Sequence, residues 1–105
     1  MITQDVIDRV IETISTVFHP HRIVVFGSQA RGDADTDSDL DLLVEMDTDV
    51  SRREQARRIR RAFDPYPCSM DIVVYTPAEI KHWLQAPASL VATAFREGWI
   101  VYERN

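Results

Sequence analysis

Apolar residues recur at helical spacing in several segments of the chain. The first covers residues 3–18, where Thr3 is a suitable N-cap residue and the valines and isoleucines form one stripe. The second covers residues 51–63, with Ser51 as its cap and its arginines on the outer side. The pattern predicts two further helices, one that begins with Thr76-Pro77-Ala78-Glu79 and ends near Leu84, and one from Pro87 to Glu97.

Short runs of β-branched and other apolar residues lie between these helices and predict strands. They cover residues 22–26, 39–46, 70–75 and 99–103; Gly27 ends the first, and a helical turn over 28–32 and a polar loop follow it. Strands that alternate with helices in this order predict an α+β fold in which helices flank a mixed β-sheet. The length suits one small domain, which we place at residues 1–105.

Composition excludes several classes of protein. Hydrophobic residues make up 45% of the chain and charged residues 28%, the profile of an ordinary soluble domain. No stretch approaches the roughly 18 apolar residues of a membrane span, and the N-terminus lacks the features of a signal peptide. The single cysteine, Cys68, cannot form an internal disulfide, so we interpret it as a small apolar side chain, buried or half-buried, in a protein of the reducing cytoplasm.

The net charge of −5 is unevenly distributed along the chain. Seven of the 17 acidic residues lie between Asp33 and Asp47, and six of the 12 basic residues lie between Arg52 and Arg61. Such neighbouring segments indicate either a site for metal ions and phosphate or two solvated faces of opposite charge. The arginines could contact a nucleotide, an acidic partner, RNA or only solvent, and the negative net charge argues against direct nucleic-acid binding.

Three aspartates are candidates for metal chemistry. Side chains two residues apart in a strand point to the same face, so Asp39 and Asp41 are expected side by side, with Leu40, Leu42 and Val44 turned into the core. Two such carboxylates can hold a pair of Mg²⁺ ions roughly 3.5–4 Å apart, as in two-metal phosphoryl transfer. Asp71 begins another apolar run, where a carboxylate is costly unless it is paired or metal-bound. A solvated strand end is the alternative for each.

The junction after the first strand is a candidate phosphate site. A strand that passes into a helical turn presents free backbone N–H groups to an anion. Gly27 would let the backbone approach a phosphate, Ser28 would add a hydroxyl donor, and Arg31 could reach the same anion. A plain Gly-Ser turn would be the simpler interpretation if no carboxylate pair followed.

Together these residues reproduce a known signature. Gly27-Ser28, ten further residues and Asp39-Leu40-Asp41 match the G-S-x10-D-x-D signature of the DNA polymerase beta-like nucleotidyltransferase superfamily. The segment GSQARGDADTDSDLDLLV resembles in particular the minimal nucleotidyltransferases, which often act as antitoxins paired with HEPN-domain toxins. The resemblance is strongest from Ile23 to Glu45 and extends to Asp71 as the third family carboxylate.

The resemblance implies a nucleotidyltransferase fold and a role for each motif residue. Gly27 and Ser28 would contact the triphosphate of ATP, and Arg31 would either contact phosphate or close the loop through an ion pair. Asp71 would hold the Mg²⁺ ion that activates the attacking hydroxyl, and could help to deprotonate it. The residues implied as catalytic and as ligands of two Mg²⁺ ions are Asp39, Asp41 and Asp71.

The acceptor is left open by the sequence. In related antitoxins AMP is transferred from ATP to a tyrosine of the partner toxin, which silences its RNase activity. The resemblance therefore implies a HEPN-type toxin from a neighbouring gene as partner. We expect no second domain for an acceptor, and on that expectation a partner or a homodimer would supply the surface. Two alternatives remain: a non-catalytic antitoxin that acts by binding, and transfer to a small molecule such as an aminoglycoside.

The remaining motifs change this interpretation little. The histidines His19, His21 and His82 lack the spacing of metal ligands. The aspartates from Asp33 to Asp39 do not form a calcium loop, because Ser38 and Val44 stand where glycine and glutamate are needed. The large aromatic residues are expected in the core or at a partner interface, and an exposed cluster would mark that interface. They are Trp83, Phe95, Trp99 and Tyr102.

Overall fold

The computed structural model describes residues 2–104, which form five helices and four strands. The helix α1, with 15 residues, is the longest in this part of the chain, and no helix within residues 2–104 could span a lipid bilayer. In chain order the elements are α1 (Gln4–Phe18), β1 (Arg22–Phe26), α2 (Ser28–Arg31), β2 (Leu40–Glu45), α3 (Arg52–Arg61), β3 (Met70–Tyr75), α4 (Pro77–Trp83), α5 (Leu90–Glu97) and β4 (Trp99–Glu103).

These elements confirm the predicted order, although several boundaries are shifted. The strand β2 ends at Glu45 and the helix α3 ends at Arg61, whereas the predicted ends were residues 46 and 63. The strand β2 begins at Leu40, one residue after the predicted start. The helix α5 begins at Leu90 rather than at Pro87, because the Ser89 side chain caps it by accepting a hydrogen bond from the N–H of Ala92. The predicted caps of the other long helices are present, including the reciprocal capping box that Thr76 and Glu79 form at the start of α4.

The four strands form one mixed sheet in the order β3-β2-β1-β4. The strand β1 is antiparallel to both β2 and β4, whereas β2 and β3 are parallel. A parallel pair needs a crossover connection, and α3 provides it. The predicted α+β fold with helices flanking a mixed sheet is therefore confirmed.

Helices bury both faces of the sheet. Leu40, Leu42 and Val44 turn to one face, as predicted, and are fully buried with residues of α1 and α3. Leu43 turns to the other face and is fully buried against Ile80 of α4 and residues of α5. Because β2 is central and covered on both sides, polar residues along it are confined to its two ends.

The C-terminal end of β2 carries a partly buried ion pair. Glu45 is 5% exposed and accepts a hydrogen bond from Nε of Arg22, its partner in the β1–β2 register. The guanidinium of Arg22 also lies 4.7 Å from the ring centre of Phe95. A buried carboxylate depends on such a partner, because without one its desolvation is not compensated.

Replacing Arg22 by methionine is expected to lower the free energy of unfolding by about 2–3 kcal/mol, because Glu45 then stays buried without its donor. The matched control is Arg57→Met, which removes an exposed ion pair with Glu54 and should cost less than about 1 kcal/mol. Urea unfolding followed by circular dichroism measures both values. Equal losses in the two variants would contradict the assignment of Arg22–Glu45 as the more important pair.

Candidate active site

Asp41 and Asp71 lie side by side where β2 and β3 begin. The parallel register pairs the two residues directly, and paired residues of neighbouring strands point to the same face. Because neighbouring strands are about 4.8 Å apart, the two side chains are adjacent. Leu43, two residues further along β2 on this face, is fully buried, whereas Asp41 is half-buried and Asp71 is exposed. The pair is thus accessible at the end of a covered strand.

Gly27 lies directly against Asp41. The antiparallel register pairs Phe26 with Asp41, which brings the turn after β1 onto the carboxylate. A Cβ atom at Gly27 would collide with Oδ2 of Asp41. Gly27 also has φ 73° and ψ −151°, a conformation that glycine alone adopts without strain. The glycine of the motif is therefore needed both for the turn and for the position of the Asp41 carboxylate.

The surroundings of Asp41 make its negative charge costly. Burial raises the pKa of its carboxyl above the ordinary value, and the charges of Asp71 and Asp39 raise it further, whereas Arg31 lowers it. All three predicted carboxylates therefore interact at this point of the sheet. A cation placed among them would relieve both the desolvation and the mutual repulsion.

Asp39 lies outside the strand in which it was predicted. It is the exposed loop residue before β2, so the expected same-face relation with Asp41 is not imposed by strand geometry. Its charge nevertheless acts on Asp41, and it also acts on Cys68, whose thiol pKa is raised first by burial and then by Asp39. Cys68 itself is a free, half-buried cysteine, as predicted.

The donor set suits Mg²⁺, although the donors are not gathered into a metal centre. No three His, Cys, Asp or Glu side chains within residues 2–104 are close enough together to hold a metal ion as they stand. Carboxylate oxygens are the ligands that Mg²⁺ prefers, and the raised pKa of Asp41 marks a place where a cation would be favourable. The residues fit the ions in type and electrostatics, and their side chains would have to turn for three carboxylates to meet at one ion.

The short helix α2 follows Gly27, as predicted, and begins at Ser28. The first N–H groups of a helix have no partner inside it, which leaves those of Ser28 and Gln29 for other acceptors. The N–H groups of Ala30 and Arg31, by contrast, both donate to the carbonyl oxygen of Gly27. The turn thus offers donors beside Asp41, on the side of the sheet where β1 ends.

Arg31 takes part in the ion pair that was one of its two predicted roles. Its Nε donates to Oδ2 of Asp33 at 3.2 Å, and both side chains are exposed. Its charge also lowers the pKa of Asp41. Arg31 therefore ties the acidic loop to α2 and remains within electrostatic reach of the carboxylates, and its contact with phosphate stays a prediction.

Comparison with known proteins places the chain in a family. A family model described as a nucleotidyltransferase domain matches residues 7–98, which include all of the predicted site residues. The chain belongs to this nucleotidyltransferase domain family. No match was found among curated proteins.

Two solved structures resemble the nucleotidyltransferase domain described here. A candidate nucleotidyltransferase from Sulfolobus solfataricus has a TM-score of 0.65 at 17% identity, with 95% of this chain and 79% of that chain covered. A toxin-antitoxin structure with AMP-PNP has a TM-score of 0.56 at 20% identity, with 99% of this chain and 76% of that chain covered. At these identities the likeness concerns the fold, and it confirms the nucleotidyltransferase fold.

Two residues at the nucleotidyltransferase motif have surroundings that the sequence did not predict. Nε2 of Gln29 is buried and has no hydrogen-bond partner within residues 2–104. Trp99 of β4 is 66% exposed, and its indole N–H donates to the carbonyl oxygen of Ala30 at 3.4 Å. No pattern in the motif predicts that the Gln29 side chain is buried. For Trp99, the one local signal is its position directly after Gly98, which indicates a nearby turn.

The aromatic residues divide between the two predicted locations. Phe95 and Tyr102 pack against the core, whereas Trp83 and Trp99 are exposed. Trp83 lies close to the exposed Leu84 and lines a groove with Leu90. The predicted sign of a partner interface was an exposed cluster among the large aromatic residues named above, and of these residues only Trp83 lines this groove.

Proposed function

We propose that the protein transfers a nucleotide, most simply AMP from ATP, to a hydroxyl group in a reaction that depends on Mg²⁺. The observation that supports this is the meeting of Asp41, Asp71 and Gly27 at one end of the sheet. Asp39 adds a third carboxylate and the Gly-Ser turn adds backbone donors. This combination serves phosphoryl transfer because carboxylates bind the ions and N–H groups bind the phosphates.

Each residue of the site has a role in this proposal. Asp39, Asp41 and Asp71 would hold the Mg²⁺ ions. The bound ions supply charge neutralisation at the triphosphate and at the leaving pyrophosphate. Gly27 and Ser28 hold the triphosphate in line with the acceptor, while Arg31 balances charge. Asp71, the exposed carboxylate, takes the proton of the attacking hydroxyl as the bond from that oxygen to the α-phosphorus forms and the bond from the α-phosphorus to the leaving pyrophosphate breaks.

The acceptor in this proposal is a tyrosine of a HEPN-type toxin encoded by a neighbouring gene, so that the protein acts as an antitoxin in the cytoplasm. A fold neighbour is a toxin-antitoxin structure with AMP-PNP, and this supports the choice of ATP and of a toxin partner. The open position of Asp71 also suits a large acceptor that approaches from outside. The exposed surface around Trp83 and Leu84 offers it a docking area.

Incubation with α-labelled ATP, Mg²⁺ and the product of the neighbouring gene is expected to label that product. Asp39→Asn should abolish the label, because the metal site loses a carboxylate ligand. The matched control is Asp37→Asn, which removes the same charge from an exposed residue of the same loop and should leave labelling unchanged. Labelling that persists in Asp39→Asn would refute transfer at this site.

A second candidate is an antitoxin that neutralises its partner by binding alone. The observation in its favour is that no three acidic, histidine or cysteine side chains within residues 2–104 stand ready around a metal. Binding alone and nucleotide transfer make opposite predictions for the survival of cells that express the toxin. Under binding alone Asp39→Asn still protects such cells, whereas under transfer it does not.

A further inference from the structure

The outer edge of β3 is unpaired within residues 2–104. It is the first strand in the order β3-β2-β1-β4, and β2 is the only described strand that pairs with it. The carbonyl oxygen of Ser69 accepts a hydrogen bond from the N–H of Leu40 in β2, and that of Tyr75 accepts one from the N–H of Met46, the residue after β2. The backbone groups of successive residues in a strand point alternately to the two neighbouring sides. The N–H and C=O groups of every second residue between Ser69 and Tyr75 therefore point away from β2. The outward N–H and C=O groups are those of Met70, Ile72 and Val74.

A groove runs along this edge. Arginines of α3 form one wall, and Val73 and Tyr75 of β3 line the other side. The groove has a volume of about 540 Å³ and opens to solvent. Val73 and Tyr75 are only half-buried, so the groove offers partly apolar walls as well as backbone groups.

Two of the arginines that line the groove have no carboxylate partner within residues 2–104. Four of the six arginines in α3 have a carboxylate within 4.0 Å, and these are Arg52, Arg57, Arg58 and Arg61. The other two, Arg53 and Arg60, have none within residues 2–104, and both line the groove. The unpaired charges of this helix are thus concentrated beside the free strand edge.

The spacing of these two arginines suits an extended chain. Seven residues along a helix correspond to two turns, or about 10.5 Å. In an extended chain, side chains two and four residues apart are separated by about 6.7 Å and 13.4 Å. A guanidinium on a long flexible stem can adjust to either separation, so Arg53 and Arg60 can each reach an acidic side chain on one face of an added strand.

We propose that the β3 edge binds an acidic, extended segment of a partner protein as a fifth strand of the sheet. Backbone hydrogen bonds to Ile72 and Val74 would fix the strand, and ion pairs with Arg53 and Arg60 would select acidic sequences. A peptide fits better than RNA because the edge presents alternating donors and acceptors. In addition, Arg52 already lies 4.6 Å from the ring centre of Tyr75, the aromatic residue on which a base would stack. This binding is independent of nucleotide transfer.

The test uses a fluorescein-labelled decapeptide of alternating valine and glutamate, with fluorescence anisotropy as the readout. Arg53→Ala/Arg60→Ala is expected to weaken binding at least roughly tenfold, through the loss of two charge-assisted contacts. The control Arg57→Ala/Arg61→Ala removes the same charge from the same helix and should change the affinity less than about twofold, because Glu54 already pairs with both arginines.

Two further measurements test the added strand itself. The peptide should slow hydrogen exchange at the amides of Ile72 and Val74, measured by NMR. Two further peptides carry N-methyl groups on the backbone, one at every valine and the other at every glutamate. In an added strand, the N–H groups of only one of these residue types face β3, so only one of the two methylated peptides should lose binding.

Three results would overturn the proposal. Equal weakening by both double variants would show that only the net charge matters. Binding without protection of the Ile72 and Val74 amides would place the peptide elsewhere. A single-stranded RNA decamer that binds more tightly than the peptide, through the same Arg53 and Arg60, would assign the groove to nucleic acid.

Discussion

Asp41→Asn is expected to abolish nucleotidyl transfer and also to make the folded protein more stable when divalent cations are absent. The metal ions of a phosphoryl-transfer site supply several kcal/mol of charge stabilisation. Because about 4 kcal/mol corresponds to roughly a 10³-fold change in rate, we expect a loss of transfer of at least that order. The asparagine keeps the shape of the side chain but carries no charge, so burial and repulsion no longer oppose folding.

The gain in stability should depend on pH, because the pKa of Asp41 is raised in the folded protein above its ordinary value of 3.8. Well below that value the carboxyl is protonated in both folded and unfolded chains, and the substitution changes little. As the pH rises, the unfolded chain releases the proton first, and ionisation then costs the folded chain stability until the pH exceeds the raised pKa. At pH 7 the variant should melt about 2–5 °C higher than the wild type.

Thermal unfolding at pH 3 and pH 7, with and without Mg²⁺, measures this prediction. Asp71→Asn serves as a graded control, since it removes only one of the charges that act on Asp41 and should raise the melting temperature by less. Mg²⁺ should stabilise the wild type and leave Asp41→Asn nearly unchanged. A variant that is less stable than the wild type at pH 7 would show that the Asp41 carboxylate is not destabilising.

Most of the fold could be predicted from the sequence, because its signals are local. The helix caps at Thr3, Ser51 and Thr76 and the β-branched runs of β1 and β3 define their elements with few competing interpretations. The start of α5 was wrong by three residues, since Pro87 and Ser89 are both good starting residues and local sequence does not decide between them. The full strand order and the parallel direction of the β2–β3 pair were not predicted, because they depend on contacts distant in sequence.

For the candidate site, the sequence predicted which residues take part but little of how they are arranged in space. The spacing of Gly27, Ser28 and the aspartates is a local motif, and the family match covers all of it. That Asp71 is the direct neighbour of Asp41 follows from register, which no pattern within β3 specifies. Gly27 was expected to make room for a phosphate, whereas the structure shows that it also makes room for Asp41.

Gly27→Ala is expected to damage both stability and transfer, because the added methyl group occupies the position of the Asp41 carboxylate. The backbone at Gly27 is also in a region that costs a non-glycine residue about 1–3 kcal/mol. The displaced carboxylate could no longer hold its ion beside Asp71, and a displacement of about 1 Å at a reacting centre can cost roughly 10²-fold in rate. Transfer should therefore fall by at least that factor even at temperatures where the variant is folded.

The chain provides a matched control for this variant five residues away. Gly32 also has a positive φ, 81°, but a side chain there would meet nothing within 4 Å. Gly32→Ala should therefore lose about 1 kcal/mol of stability through backbone strain and keep its transfer activity. Urea unfolding and label transfer, measured for both variants at a temperature where each is folded, separate strain from displacement of the carboxylate. If Gly27→Ala kept its activity, or if Gly32→Ala lost it to the same degree, the contact between Gly27 and Asp41 would have no part in the reaction.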